Sequence, residues 1–299
     1  MTESRLCHVP CLDNRGLHRM AYQEWGDAAN PRVLVCVHGL ARQSRDFDTL
    51  AHALAGDYRV VCPDVVGRGL SERLADPMGY VFPTYLADMV TLLARLGAEQ
   101  VDWVGTSMGG IIGMLLASLR DRGGRSPVGR LVLNDVGPAY EQKFVDRLKS
   151  YLGQPVHWRS VDEAADSLWT ISQGFGPHTR EQWMALTRPM LVPDSNDQGD
   201  GFTLHYDPAI AVPIRAMTPE MGAAGEAALW HAYDQIRAPT LLLRGETSDV
   251  LRADTAAAMV ARGPRARLHV FAGIGHAPTL QQPEQVALVR GFLLGSPGS

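Results

Sequence analysis

Short apolar runs punctuate this chain, and most are followed by a stretch with helical spacing. The runs at 33–37 (VLVCV), 58–62 (YRVVC), 101–104 (VDWV), 131–133 (LVL) and 240–243 (TLLL) each end in glycine or polar residues. Continuous apolar runs of this length suit strands buried on both faces of a parallel sheet. Between them, Leu86, Met89, Val90, Leu93 and Leu96 share one helical face within 80–96, and helices are expected at 47–55, 254–262 and 283–294. At the start, 6–10 and 18–25 read as a hairpin around the turn Leu12-Asp13-Asn14-Arg15-Gly16. A last strand is expected at 267–271. Strand and helix in alternation predict the α/β class, a parallel sheet with helices on both faces.

The rhythm stops at Gly137-Pro138. From 139 to 237 the pattern is helical and irregular, so residues 1–138 and 238–299 are expected to form one core domain and 139–237 an inserted helical cap. Ser160-x-x-Glu163 and Thr179-x-x-Gln182 have the form of capping boxes opening two of its helices. The turn-rich piece 192–201 (VPDSNDQGDG) is expected to be a loop, and 202–206 extended.

The stretch 101–113, VDWVGTSMGGIIG, carries the chemistry. It runs from a short β-prone segment through Gly105-Thr106-Ser107-Met108-Gly109 into a small-residue helix, the context that a G-x-S-x-G nucleophile turn needs. The glycines are expected because a Cβ at either would collide in the tight crossing. A glycine-rich βα turn with an incidental serine would show the same letters, so partners must be found.

A serine hydroxyl needs a base, and the base an orienting acid. His276, in the glycine-flanked loop after the last strand, is the best placed histidine; the other nine fall in strands, helices or the cap, or, as His38 does, beside a glycine where backbone organisation is the simpler role. Two carboxylates at strand ends compete as the acid, Asp249 after the strand at 240–245 and Asp135 after that at 131–133. Asp249 is favoured. Two backbone N–H groups must receive the oxyanion: Met108, directly after the nucleophile, and Leu40, in the His38-Gly39-Leu40 turn.

Taken together, HGL at 38–40, DVVGRGLS at 64–71, GTSMGG at 105–110, RGETSDV at 244–250 and GIGHAP at 273–278 resemble the α/β-hydrolase fold superfamily over essentially the full length. The resemblance implies an eight-stranded, mostly parallel sheet with a cap after the sixth strand. It also implies Ser107 as nucleophile, Asp249 as acid and His276 as base. Members that dehalogenate or open epoxides carry Asp at the nucleophile position, so Ser107 argues against both. The expected activity is hydrolysis of carboxylic esters through an acyl-enzyme. The same triad could instead act on a lactone, thioester, hydroxyacid oligomer or the carbon–carbon bond of a ring-cleavage product. A non-catalytic receptor on this fold is the remote alternative.

Composition narrows the rest. The chain has 299 residues, 45% hydrophobic and 20% charged, with a formal charge of −4. That accommodates one large domain with an insertion, and no basic stripe suggests nucleic acid. No apolar run spans a membrane, and without a secretory signal the expected address is cytoplasmic. Cys36 and Cys62 read as buried apolar residues. Cys7, His8 and Cys11 lack a second ligand pair, so no metal is expected, and no cofactor is needed. A small-molecule ester is the expected partner, with a homodimer left open. For the substrate pocket, Arg42, Tyr140, Trp183 and Tyr206 are the candidates; Arg68 reads as a link between loops.

Overall fold

The computed structural model describes residues 4–139, 141–196 and 199–295. The chain runs β1 (Arg5–Asp13), β2 (Gly16–Trp25), β3 (Val33–Val37), α1 (Asp48–Leu54), β4 (Arg59–Pro63), α2 (Phe82–Leu96), β5 (Val101–Thr106), α3 (Met108–Ser118) and β6 (Val128–Asn134). An insertion follows, with α4 (Gln142–Tyr151), α5 (Val161–Ser172), α6 (Arg180–Thr187), β7 (Leu191–Asn196), β8 (Gly199–Leu204), α7 (Ala211–Ala216) and α8 (Pro219–Gln235). The chain closes with β9 (Thr240–Gly245), α9 (Ala253–Ala261), β10 (Arg267–Phe271) and α10 (Pro283–Leu294).

Eight strands form one sheet in the order β1-β2-β4-β3-β5-β6-β9-β10. Pairing is antiparallel on both sides of β2 and parallel everywhere else. This is the mostly parallel α/β sheet that the spacing of apolar runs predicts. The runs are continuous because alternate residues feed two cores. Val35, Val37, Trp103, Leu131, Leu133 and Leu242 face α2, α3 and α9, while Leu34, Cys36, Val104, Val132, Leu241 and Leu243 face α1 and α10. Each such side chain contributes about 1.5–3 kcal/mol by leaving water.

The insertion differs from its expected outline in two places. Residues 192–201, expected as a loop, mostly pair as the antiparallel ribbon β7–β8; residues 197–198 lie outside the described residues. Residues 193–201 are polar, proline or glycine, so no alternation reveals the ribbon there. It gains its order from cross-strand bonds and from Trp158, whose N–H and carbonyl exchange hydrogen bonds with Phe202 at 2.9 and 2.8 Å. Second, α8 packs along α3, and its Tyr233 is fully buried in the main core. That helix therefore belongs to the layer covering the sheet. Of the two expected capping boxes, Thr179 and Gln182 cap each other reciprocally, whereas at Ser160 only half forms: its hydroxyl accepts from the Glu163 N–H, and the Glu163 carboxylate accepts from the Arg159 N–H instead.

Candidate active site

β5 ends at Thr106 and α3 begins at Met108, so Ser107 alone makes the reversal. It does so at φ +52°, ψ −116°, a conformation costly for any residue with a Cβ. Its N–H donates to the Asn134 carbonyl at 3.0 Å, and its carbonyl accepts from Gly110 N–H at 2.9 Å. The motif glycines have the steric cause expected of them. A Cβ on Gly105 would sit 2.3 Å from the Gly109 carbonyl oxygen, and one on Gly109 would sit 2.0 Å from that of Val37.

His276 reaches this serine from the loop after β10. Its Nε2 lies 3.0 Å from Ser107 Oγ, and its Nδ1 lies 2.7 Å from Asp135 Oδ2. Asp135 follows β6 directly, fully buried, at φ +54°. Its carboxylate also accepts from Gly245 N–H at 2.8 Å and from the Ser248 hydroxyl at 2.6 Å. An ionised carboxylate only accepts, so the proton of the neutral imidazole sits on Nδ1. The Nε2 lone pair then faces the serine hydroxyl.

The structure does not bring Asp249 to the histidine. Asp249 is exposed and pairs with Arg147 of α4, whose Nη2 lies 3.2 Å from Asp249 Oδ1. The cause is local. After β9 the chain turns, with Ser248 N–H donating to the Gly245 carbonyl at 3.0 Å. The turn points Ser248 inward, where it is 8% exposed, and the next residue outward. Asp135 is the carboxylate that the fold delivers, because β6 lies between β5 and β9 in the sheet.

The His38-Gly39-Leu40 turn borders Ser107: a Cβ on Gly39 would be 3.8 Å from Ser107 Cβ. His38 is buried, and burial holds its pKa down at about 3. Its Nε2 accepts from Val65 N–H at 2.9 Å, so Nδ1 carries the hydrogen and donates to the Gly39 carbonyl at 2.7 Å. That carbonyl also accepts from Arg42 N–H at 3.1 Å. A trans peptide bears its carbonyl and N–H on opposite sides, so the two bonds on Gly39 O fix where the Leu40 N–H points. Met108 opens α3, where the first-turn N–H groups have no partner within the helix.

Of the pocket candidates, Arg42 is committed to Asp46 (Nε to Oδ2 2.7 Å) and to the Leu186 carbonyl of the insertion at 3.3 Å. Trp183 is buried among Trp169, Phe175 and His178, its indole N–H on the Ala165 carbonyl at 2.7 Å. Tyr206 is 6% exposed and accepts from Gly153 N–H at 3.2 Å. Both aromatics pack within the insertion and its seam. Tyr140 lies outside the described residues.

Four further contributors were not singled out in the sequence. Ser248 holds the Asp135 carboxylate. Asn134 donates to Thr106 Oγ1 at 3.0 Å and to the Pro278 carbonyl at 2.7 Å, tying the ends of β5 and β6 to the loop of His276. From the insertion, the Gly174 carbonyl accepts from Gly275 N–H at 2.7 Å, and the Phe144 ring meets the His276 ring edge-on at 6.1 Å. A cysteine–histidine–carboxylate group does exist, though not the one considered from the sequence. Ligand atoms of Cys11, His18 and Asp88 lie within 4.8 Å of one another beneath the β1–β2 hairpin. His18 Nε2 and Asp88 Oδ2 are already hydrogen-bonded there at 3.1 Å.

Residues 34–288 match the profile of the alpha/beta hydrolase family, and the chain belongs to that family. It is 55% identical over 292 residues to a 3-hydroxybutyrate-oligomer hydrolase of Cupriavidus necator, covering 98% of both proteins. It is 27% identical over 267 residues to the esterase YbfF of Escherichia coli, covering 86% of this chain and 91% of that one. Among solved structures, an alpha/beta hydrolase from Novosphingobium aromaticivorans superposes with a TM-score of 0.82 at 36% identity, covering 98% of this chain and 99% of the other. The protein is an esterase-type serine hydrolase.

Proposed function

We propose that this enzyme hydrolyses the ester bonds of short 3-hydroxybutyrate oligomers through an acyl-enzyme on Ser107. The observation that carries the chemistry is the unbroken line Ser107 Oγ to His276 Nε2 to Asp135, at 3.0 and 2.7 Å. The substrate class rests on the extensive similarity to the oligomer hydrolase. Ser107 Oγ attacks the ester carbonyl as His276 Nε2 takes its proton, and Asp135 holds the imidazolium. The Leu40 and Met108 N–H groups receive the oxyanion. His276 returns its proton to the leaving hydroxyl of the shortened oligomer. Water, deprotonated by the same imidazole, then releases 3-hydroxybutyrate. Part of the insertion 139–237 serves as a cap, since Gly174 and Phe144 meet the histidine loop directly.

The test is a substrate panel: dimer and trimer of 3-hydroxybutyrate, butyrolactone, and unactivated alkyl butyrates. Oligomers are expected to exceed alkyl butyrates in kcat/KM by about tenfold or more, the gain from contacts to a second hydroxyacid unit. Ser107→Ala is expected to abolish turnover of every panel member, about 10⁴-fold or more. Alkyl esters turned over without the oligomers would remove the substrate assignment and leave the esterase. Activity of the Ser107→Ala protein near the parent's would remove both.

A further inference from the structure

Arg68 sits in the loop after β4 and is 1% exposed. A buried guanidinium ordinarily has a carboxylate beside it, because an uncompensated charge is costly away from water. Every partner of Arg68 among the described residues is neutral. Its Nε donates to the Leu40 carbonyl at 2.9 Å, and its Nη1 to the Val66 carbonyl at 2.7 Å and the Tyr85 hydroxyl at 3.1 Å. Its Nη2 faces the Met108 sulfur at 3.7 Å. The faces of Tyr85 and Tyr80 lie 5.1 and 5.7 Å from its central carbon.

The titratable groups around it leave the charge standing. Burial raises the phenols of Tyr80, Tyr85 and Tyr206, and burial keeps His38 neutral. Asp207 is engaged elsewhere, accepting from the Tyr80 hydroxyl at 2.6 Å and from Ala209 N–H at 3.0 Å.

Two of the atoms that Arg68 touches belong to Leu40 and Met108, the residues whose N–H groups face the reacting carbonyl in the reading above. We infer that Arg68 is a positioning residue for the oxyanion site, bracing both donors and supplying the fixed positive charge that the anionic tetrahedral intermediate answers. This inference rests on the acyl-enzyme reading. Ground-state ester is neutral and gains little from the charge; the intermediate is anionic and gains much, in a site where water does not screen it. The cost of burying the cation is thereby tied to the transition state.

The test compares Arg68→Met, Arg68→Gln and Arg68→Lys with the parent, all normalised to sites labelled by a fluorophosphonate. A parent not labelled at Ser107 sinks the acyl-enzyme reading itself; a labelled parent confines any failure to Arg68. The Met and Gln variants are expected to lose about tenfold or more in kcat per labelled site, with KM moving less than about threefold. The inhibition constant of a trifluoromethyl ketone, which forms an anionic adduct, should rise in step. Arg68→Lys should recover most of kcat near neutral pH and lose it as pH rises, since a desolvated ammonium titrates below its usual range and a guanidinium does not. Tyr85→Phe removes an acceptor and leaves the charge, so it should stay within about twofold of the parent. The inference is overturned by a Met variant within about twofold of the parent per labelled site, by a Lys variant no better than Met at any pH, or by a tenfold loss in Tyr85→Phe.

Discussion

Two neighbouring strands end in loops that each offer a carboxylate, and the two carboxylates fare differently. Asp135, after β6, is fully buried and accepts from His276, Ser248 and Gly245. Asp249, after β9, is exposed and spends its charge on Arg147. Both follow apolar strands and both precede His276 in sequence. What separates them is desolvation with full hydrogen bonding, which makes a charge effective, against solvation, which makes it cheap and weak. The same contrast appears in what surrounds each. The buried acid is held by one serine and one backbone amide, whereas the exposed one ties α4 to the core.

The sharpest way to break the comparison is to neutralise each acid in turn. Asp135→Asn is expected to lower kcat by about 10³–10⁴, because an amide no longer fixes the imidazole tautomer. Asp249→Asn should leave kcat within about twofold and cost well under ~1 kcal/mol of stability. Steady-state kinetics on a butyrate ester decides it, and a large loss from Asp249→Asn would restore that residue as the acid. Next comes Ser248→Ala, which removes one of three donors to Asp135. About a tenfold fall in kcat is expected, with the melting temperature little changed; a fall no larger than twofold would show that Gly245 N–H holds the acid alone.

A smaller effect concerns stability. His38 has a folded-state pKa of about 3 against an ordinary 6.5. Below pH 6.5 the unfolded chain takes up a proton that native His38 refuses. Stability therefore falls as pH drops from 6.5 towards 3, by roughly 1 kcal/mol per pH unit from this group. His38→Gln should flatten that slope in urea titrations at pH 7 and pH 5. An unchanged slope would mean that other groups govern acid unfolding.

The sheet was legible because burial on both faces writes itself as continuous apolar runs, and β10 and α10 fall at their expected residues, 267–271 and 283–294. The meeting of Ser107 and His276 was legible for a related reason: glycines crowd around a tight strand-to-helix turn and around a tightly bent histidine loop. The carboxylate partner of His276 was not, because aspartate at a strand end looks the same whether the next turn buries or exposes it. Choosing between Asp135 and Asp249 needs the direction of a single turn at Gly245–Ser248. The β7–β8 ribbon was hidden by the run of polar, proline and glycine residues at 193–201, and the contact of Ser248 by its standing one position before the favoured aspartate. Arg68 carried a signal that was visible only in part. Its motif announced a loop, but nothing in the letters told that the cation would be buried without an anion.

The bond from Gly275 to the Gly174 carbonyl has a mechanical consequence. The loop that carries His276 is fastened on one side by Asn134, at the end of β6, and on the other by Gly174 of the insertion. Any displacement of Gly174 away from Gly275 therefore gives up one of the bonds that hold the histidine loop.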